Sequence, residues 1–190
     1  MFSPVPNRQT FDMRRVAIIG PGGAGKTTLA TELGRMLGIE LVQLDSLIWD
    51  PGWVKTSVQQ VEEAQRAALG GESWIVDSAS PRAMRARLEA ADTIVFLDVP
   101  PSLCAVRTLR RRLRMRGKPR AELAPGCVPA RLDRAVLRYL GYIRRYRREI
   151  RPQIVDELER LSPRRRIVVL RDTRQIRSFL ASVQVREVVA

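Results

Sequence analysis

The chain predicts an α/β fold in which a parallel sheet of five strands is covered on both faces by helices. Two observations carry that prediction. Short apolar runs alternate with amphipathic stretches from Val16 to Ser182, the order that successive βα units require. The first run also leads through a glycine-dense bend into a helix-periodic segment, "VAIIGPGGAGKTTLATEL". Val16–Ile19 reads as a buried strand, and Leu29, Leu33 and Leu37 share one face of a helix that Gly38 ends. A second strand spans Glu40–Leu44 and ends at Asp45, followed by a loop, "SLIWDPGWVKT", turning at Pro51-Gly52. Ser57 and Gln60 have capping-box spacing ahead of a helix that stops at Gly70-Gly71. Trp74–Val76 is the third strand, ending at Asp77, and Pro81 opens a short helix to Ala90. Thr93–Leu97 is the fourth strand, ending at Asp98, and Pro101 starts a helix that breaks near Gly117. After a Pro- and Gly-marked loop, a long helix is expected from Ala130 to Arg151, bent by Pro152. Arg166–Leu170 is the fifth strand and Thr173–Ser182 the last helix.

Length and composition bound the possibilities. A chain of 190 residues with 45% apolar content fits one domain with an ample core. No apolar run of about 18 residues is present to span a membrane. The first twelve residues lack the apolar centre of a secretion signal, residues 1–13 are expected to be disordered, and Met13 is an alternative start. Cys104 and Cys127, far apart in a chain without histidine, make neither a disulfide framework nor a zinc site, so the expected compartment is a reducing cytoplasm. Charge is the unusual feature. The net charge is +14, and between Arg107 and Arg151 sixteen basic residues face three acidic ones. A nucleotide-phosphate clamp, a nucleic-acid surface and an ordinary solvated helix face all remain open for that segment. Within it Arg134, Arg138, Arg145 and Arg148 fall on one stripe of the long helix.

The chemistry begins at the bend. Gly20, Gly25, Lys26 and Thr27 fit the G-x-x-x-x-G-K-[ST] pattern, in which successive backbone N–H groups converge on a bound polyphosphate. Lys26 would reach the outer phosphates, Thr27 would complete the shell of a Mg²⁺ ion, and the helix N-terminus favours the same anion. Ligands of an open parallel sheet gather at the carboxyl ends of its strands, where Asp45, Asp77 and Asp98 are all expected. "WIVD" and "TIVFLD" each end in an acidic residue of the kind that holds a Mg²⁺-bound water, so the metal aspartate is duplicated.

"GPGGAGKTT", "DSASPR" and "LDVPPSLCAVRTLRRR" resemble the adenylate-kinase-type nucleoside monophosphate kinases at their phosphate loop, D-G-F-P-R stretch and lid entrance. "DSLIWDPGW", "WIVDSAS" and "APGC", in that order, resemble more closely the bacterial adenylate-kinase-like DNA topology modulation proteins over about Val16 to Leu180. The resemblance implies a P-loop three-layer fold with the sheet order of monophosphate kinases, an acceptor-side insert at about 45–70 and a lid at about 112–131. It implies ATP on Gly20, Gly22, Gly23, Ala24, Gly25, Lys26, Thr27 and Thr28, with Arg107 against the donor base and Mg²⁺ on Thr27 and, through water, Asp77. Arg82 would grip the acceptor phosphate and Arg111 the transferring one, with Arg145 and Arg148 completing the clamp. Asp45, Trp49 and Trp53 lie on the acceptor side, where the tryptophans either stack a base or pack the insert. Two departures stand out: Gly-Asn-Tyr of the closer relatives is Ser78-Ala79-Ser80, and Ile48 or Trp49 stands where monophosphate kinases carry an arginine. The expectation is a monomeric kinase that transfers phosphoryl from Mg-ATP to a nucleoside monophosphate or related metabolite. The alternative is a nucleic-acid-associated ATPase or DNA-binding protein using the basic 107–151 segment.

Overall fold

The computed structural model describes residues 13–44, 49–50, 54–55, 57–78, 84–114, 141–143 and 145–183. Five parallel strands, β1 (Arg15–Ile19), β2 (Leu41–Gln43), β5 (Trp74–Ser78), β6 (Thr93–Leu97) and β7 (Arg166–Leu170), form one sheet in the order β2-β5-β1-β6-β7. Numbered among themselves the five run 2-3-1-4-5, with the loop-bearing strand in the centre. Strand β1 sits at the centre with β5 and β6 on either side, and both faces of β1 and β6 are covered: Val16–Ile19 and all of Thr93–Leu97 are buried.

Side-chain alternation along β1 assigns the helices to layers. Val16 and Ile18 pack with Leu29 and Leu33 of α1 (Lys26–Leu37), and the same cluster holds Phe179, which lies on the last helix, Thr173–Ser182. Ala17 and Ile19 face the other way, into a cluster with Leu88 of Met84–Ala90 and with Ile154 and Leu158 of Arg151–Leu161. Each such large apolar side chain contributes about 1.5–3 kcal/mol on burial, so the sheet is held from both sides. In chain order the helices are α1, α2 (Val58–Ala68), α3 (Met84–Ala90), α4 (Pro101–Arg114), α5 (Arg151–Leu161) and α6 (Thr173–Ser182). The Ser57 capping box at α2 is complete: Ser57 Oγ accepts the Gln60 N–H at 3.2 Å and Gln60 Oε1 accepts the Ser57 N–H at 3.3 Å.

Three expectations are corrected. The segment expected as a loop carries a short antiparallel strand pair, β3 (Trp49–Asp50) with β4 (Val54–Lys55), because strand-forming Trp49 and Val54 stand on either side of Pro51-Gly52 in the sequence. The third sheet strand does not stop before Asp77. Its ladder with β1 continues through Ile18↔Asp77 and Ile19↔Ser78, so the aspartate is held on the strand itself. The helix continues through Pro152, which was not expected to end it, but its pitch is not uniform. Pro152 has no N–H for the Arg148 carbonyl and its ring crowds that group. The preceding turn, Tyr146–Ile150, is π-helical, with the Arg151 N–H on the Tyr146 carbonyl, and α5 continues to Leu161. The single arginine stripe assumed 3.6 residues per turn, which does not hold through this turn. Arg134, Arg138 and residues 115–131 of the expected lid lie outside the described residues, whereas its first residues, 112–114, end α4. Residues 1–12 lie outside them as well, whereas Met13 is buried in the core. Among the described residues no helix is long and apolar enough to cross a membrane.

Candidate active site at the carboxyl edge of the sheet

The loop after β1 is shaped by close approach. A Cβ on Gly20 would lie 2.6 Å from the Leu97 carbonyl oxygen, and one on Gly23 would lie 2.5 Å from the Cys104 carbonyl oxygen and 2.6 Å from Thr108 Oγ1. Gly23, with φ +79, also needs the left-handed region. The loop is therefore seated between the end of β6 and the flank of α4, with its glycine face inward. Gly25 caps α1, and the helix opens on Lys26, Thr27 and Thr28, whose N–H groups lie in its first turn, where intrahelical acceptors are lacking. Lys26 is 7% exposed, and its Nζ donates to the Pro21 carbonyl at 3.2 Å.

The hydroxyl of Thr27, the next residue, donates to Asp77 Oδ2 at 2.7 Å. Asp77 is buried on β5, level with Ile18 of β1. The two candidate metal aspartates differ in their partners. Asp98, one residue beyond β6, accepts Arg151 Nε at 2.8 Å and Nη2 at 2.7 Å, a two-pronged pair, with Arg171 Nε 3.9 Å from Oδ2. That hydrogen bond to Asp98 raises the Arg151 pKa above the usual guanidinium range. A hydroxyl joined to a carboxylate beside a lysine and a helix N-terminus fits a hard divalent cation bound together with a polyphosphate.

Arg107 lies on the other side of the loop. Its Nη1 donates to the Ala24 carbonyl at 3.4 Å and its Nη2 to Thr173 Oγ1 at 3.0 Å, so one guanidinium joins the phosphate loop to the first residue of α6. Beneath it Cys104 is fully buried. Burial pushes its thiol pKa up against the opposing charges of Arg107 and Lys26. Arg111 is exposed on α4, and Arg145 and Arg148 are exposed at and within the π-helical turn. Asp45, Trp53 and Arg82 lie outside the described residues, and Trp49 is described only as part of β3. Thr173 and Arg151 were not singled out from the sequence. Arg151 was one arginine among many, although an aspartate at the end of a buried strand is itself a signal that a cation must be found for it.

A phosphate loop on the central strand, a lysine and threonine at the head of the following helix, and a buried aspartate on the neighbouring strand define a P-loop kinase. No family model matches the chain. Among curated proteins, the shikimate kinase of Baumannia cicadellinicola subsp. Homalodisca coagulata is 30% identical over an alignment of 121 residues that covers 54% of this chain and 68% of that protein. The chain belongs to the shikimate kinase family. Two solved structures share the fold. The shikimate kinase from Acinetobacter baumannii in complex with shikimate aligns with a TM-score of 0.53 at 16% identity, over 90% of each chain. The deoxyadenosine kinase from M. mycoides with bound dATP aligns with a TM-score of 0.51 at 13% identity, over 87% of this chain and 97% of that one. The protein is thus a kinase that moves a phosphoryl group from ATP to a small metabolite.

Proposed function

We propose that the chain transfers the γ-phosphoryl group of ATP to a hydroxyl of a small anionic metabolite, with shikimate the first acceptor to test. The observation that carries this reading is the Thr27–Asp77 hydrogen bond at 2.7 Å, set beside a phosphate loop whose lysine is already buried in it. Gly20–Thr28 would hold the triphosphate through backbone N–H groups, and Lys26 would swing from the Pro21 carbonyl to the outer phosphates. Arg107, braced between Ala24 and Thr173, would lie against the donor base. Thr27 and Asp77 would hold Mg²⁺, which when bound supplies charge neutralisation on the phosphate oxygens. Arg111, Arg145 and Arg148 are the donors available for charge that develops on the transferring group, because guanidinium forks match phosphoryl oxygens. No side-chain nucleophile is required: alignment and electrostatic stabilisation do the work.

The relative named above favours a hydroxylated acceptor over a nucleoside monophosphate. So does the sequence, which has Ile48 or Trp49 where a monophosphate kinase would carry an acceptor-phosphate arginine. Asp45, Trp49, Trp53 and Arg82 remain the acceptor-side candidates, with 45–70 as the acceptor insert and 112–131 as the lid. The finer likeness to DNA topology modulation proteins supports a second reading, in which the basic 107–151 segment lies on nucleic acid. DNA binding that falls steeply with salt and is displaced by Mg-ATP would fit arginines shared by both ligands. The deciding experiment is labelled γ-phosphoryl transfer from Mg-ATP to shikimate, deoxyadenosine and a nucleoside monophosphate panel, run beside Lys26→Ala. A labelled product that disappears in Lys26→Ala establishes the reaction and its acceptor. Equal turnover by a folded Lys26→Ala protein would overturn the site.

A further inference from the structure

The mechanism above leaves unexplained the two-pronged Arg151–Asp98 ion pair at the carboxyl edge. We propose that Arg151 is a positioning residue: its two-pronged pair with Asp98 anchors the π-helical turn bearing Arg148 to the strand against which the phosphate loop is seated. The inference rests on the kinase reading of that loop.

Both ends of the link are rigidly defined. On the sheet side, Asp98 follows Leu97, whose carbonyl Gly20 approaches too closely for any side chain, and the Asp98 N–H donates to the Leu170 carbonyl at 2.9 Å. The carboxylate is thus fixed to β6 and β7 at once and abuts the start of the phosphate loop. On the helix side, Arg151 directly follows the π-helical turn, and its own N–H closes that turn on Tyr146. Its guanidinium uses two N–H groups on the two oxygens of Asp98, a geometry that fixes orientation as well as distance.

The turn itself is not a relaxed piece of helix. Tyr146 is 2% exposed, its hydroxyl is buried without a hydrogen-bond partner, and burial raises its pKa. An unpartnered buried hydroxyl and a π-helical turn each cost free energy. Another contact must therefore hold the turn where it is, and the Asp98–Arg151 pair is placed to do so. Arg148 is exposed within the turn and Arg145 immediately precedes it. Release of the pair would let the turn rewind, displacing both guanidinium groups relative to the loop while leaving the loop intact.

The experiment is phosphate release from Mg-ATP by Asp98→Asn, Arg151→Met, Arg151→Lys and the Asp98→Asn/Arg151→Met double variant, with Lys26→Ala as reference. Calorimetric titration of metal-free ADP and amide exchange of residues 146–150 accompany it. Misplacement of charged groups by a fraction of an ångström to an ångström predicts a kcat lower by about ten- to a hundredfold in either single variant, with KM for ATP and ADP affinity within about twofold. The double variant should be no slower than the slower single one, because both break the same link. Arg151→Lys, which keeps the charge but not the fork, should recover part of the rate. Asp98→Asn is close to isosteric and stands in should Arg151→Met not fold; in it the 146–150 amides should exchange faster than in the parent. Unchanged kcat and unchanged exchange in folded Asp98→Asn would overturn the proposal, as would multiplicative losses in the double variant. A parallel loss of ADP affinity would overturn it too, by showing a structural role only. Loss of phosphate release in Lys26→Ala with no effect at Asp98 or Arg151 refutes this inference alone, whereas equal release by parent and Lys26→Ala removes the kinase reading beneath it.

Discussion

Replacing Gly23 by alanine tests whether the phosphate loop is held by contact with α4. The residue has φ +79, and the added methyl would meet the Cys104 carbonyl oxygen at 2.5 Å and Thr108 Oγ1 at 2.6 Å. The left-handed backbone alone costs an alanine about 1–2 kcal/mol. The threonine hydroxyl can rotate away, but the carbonyl belongs to a helix and must move with it, an overpacking cost of about 1–3 kcal/mol. The sum of about 2–5 kcal/mol, at roughly 2–4 °C per kcal/mol for a chain of this size, predicts a melting temperature lower by about 4–20 °C. Gly25→Ala is the internal comparison. Its φ of +99 is equally unfavourable, but nothing lies within 4 Å of its Cβ position, so only the backbone cost of about 1–2 kcal/mol applies. Thermal unfolding followed by circular dichroism measures both, and ADP titration shows the accompanying loss of affinity. Equal destabilisation by the two substitutions, or a Gly23→Ala chain as stable as the parent, would refute the contact argument.

Asp77→Asn keeps an acceptor for the Thr27 hydroxyl but removes the charge, so the Mg²⁺ concentration needed for half-maximal turnover should rise by about tenfold or more, read from a magnesium titration. Ser57→Ala removes the Ser57 half of the capping box and should destabilise α2 by about 1 kcal/mol, measured by urea unfolding. Hydrogen bonds from Arg160, opposed by burial and aided by Arg85, hold the Glu157 carboxyl below its ordinary value of 4.5. A lowered folded-state pKa means its stabilisation is fully present above that ordinary value and is lost as pH falls through the folded one. Glu157→Gln should therefore be less stable than the parent at neutral pH and lose less on acidification, seen in melting curves between about pH 3 and 7.

Most of the fold was legible because its signals are local. The αL glycine after Leu37 and the Ser57–Gln60 box each satisfy backbone groups with residues a few positions away, so spacing alone exposes them. Uninterrupted apolar strands such as "TIVFL" likewise announce a sheet buried on both faces. The strand pair at 49–55 was missed because two-residue strands leave almost no periodicity to count. The π-helical turn was missed because a 3.6-residue count cannot register an extra residue, although Pro152 marked the place. At the site, the loop motif named its own residues. The resemblance pointed to Asp77 rather than Asp98, but the partners that set the two apart, Thr27 and Arg151, lie 50 and 53 positions away and leave no local spacing to read.

The strand order also governs how the chain can assemble. Even the strands consecutive within the main sheet, β2 with β5 and β6 with β7, pair across long stretches of sequence: Leu41 meets Ile75 and Thr93 meets Arg166, while Arg15 of β1 meets Trp74 and Val16 meets Thr93. Every ladder must close a loop of more than thirty residues, so the sheet forms late and its contact order is high. A chain interrupted before Arg166 would present the Thr93–Leu97 edge, a threonine and four apolar residues without a charge, with its outer row of amide and carbonyl groups unpaired. Such an edge is a template for pairing with other chains. The last strand, distant from the phosphate chemistry in sequence, therefore decides whether a nascent molecule stays single.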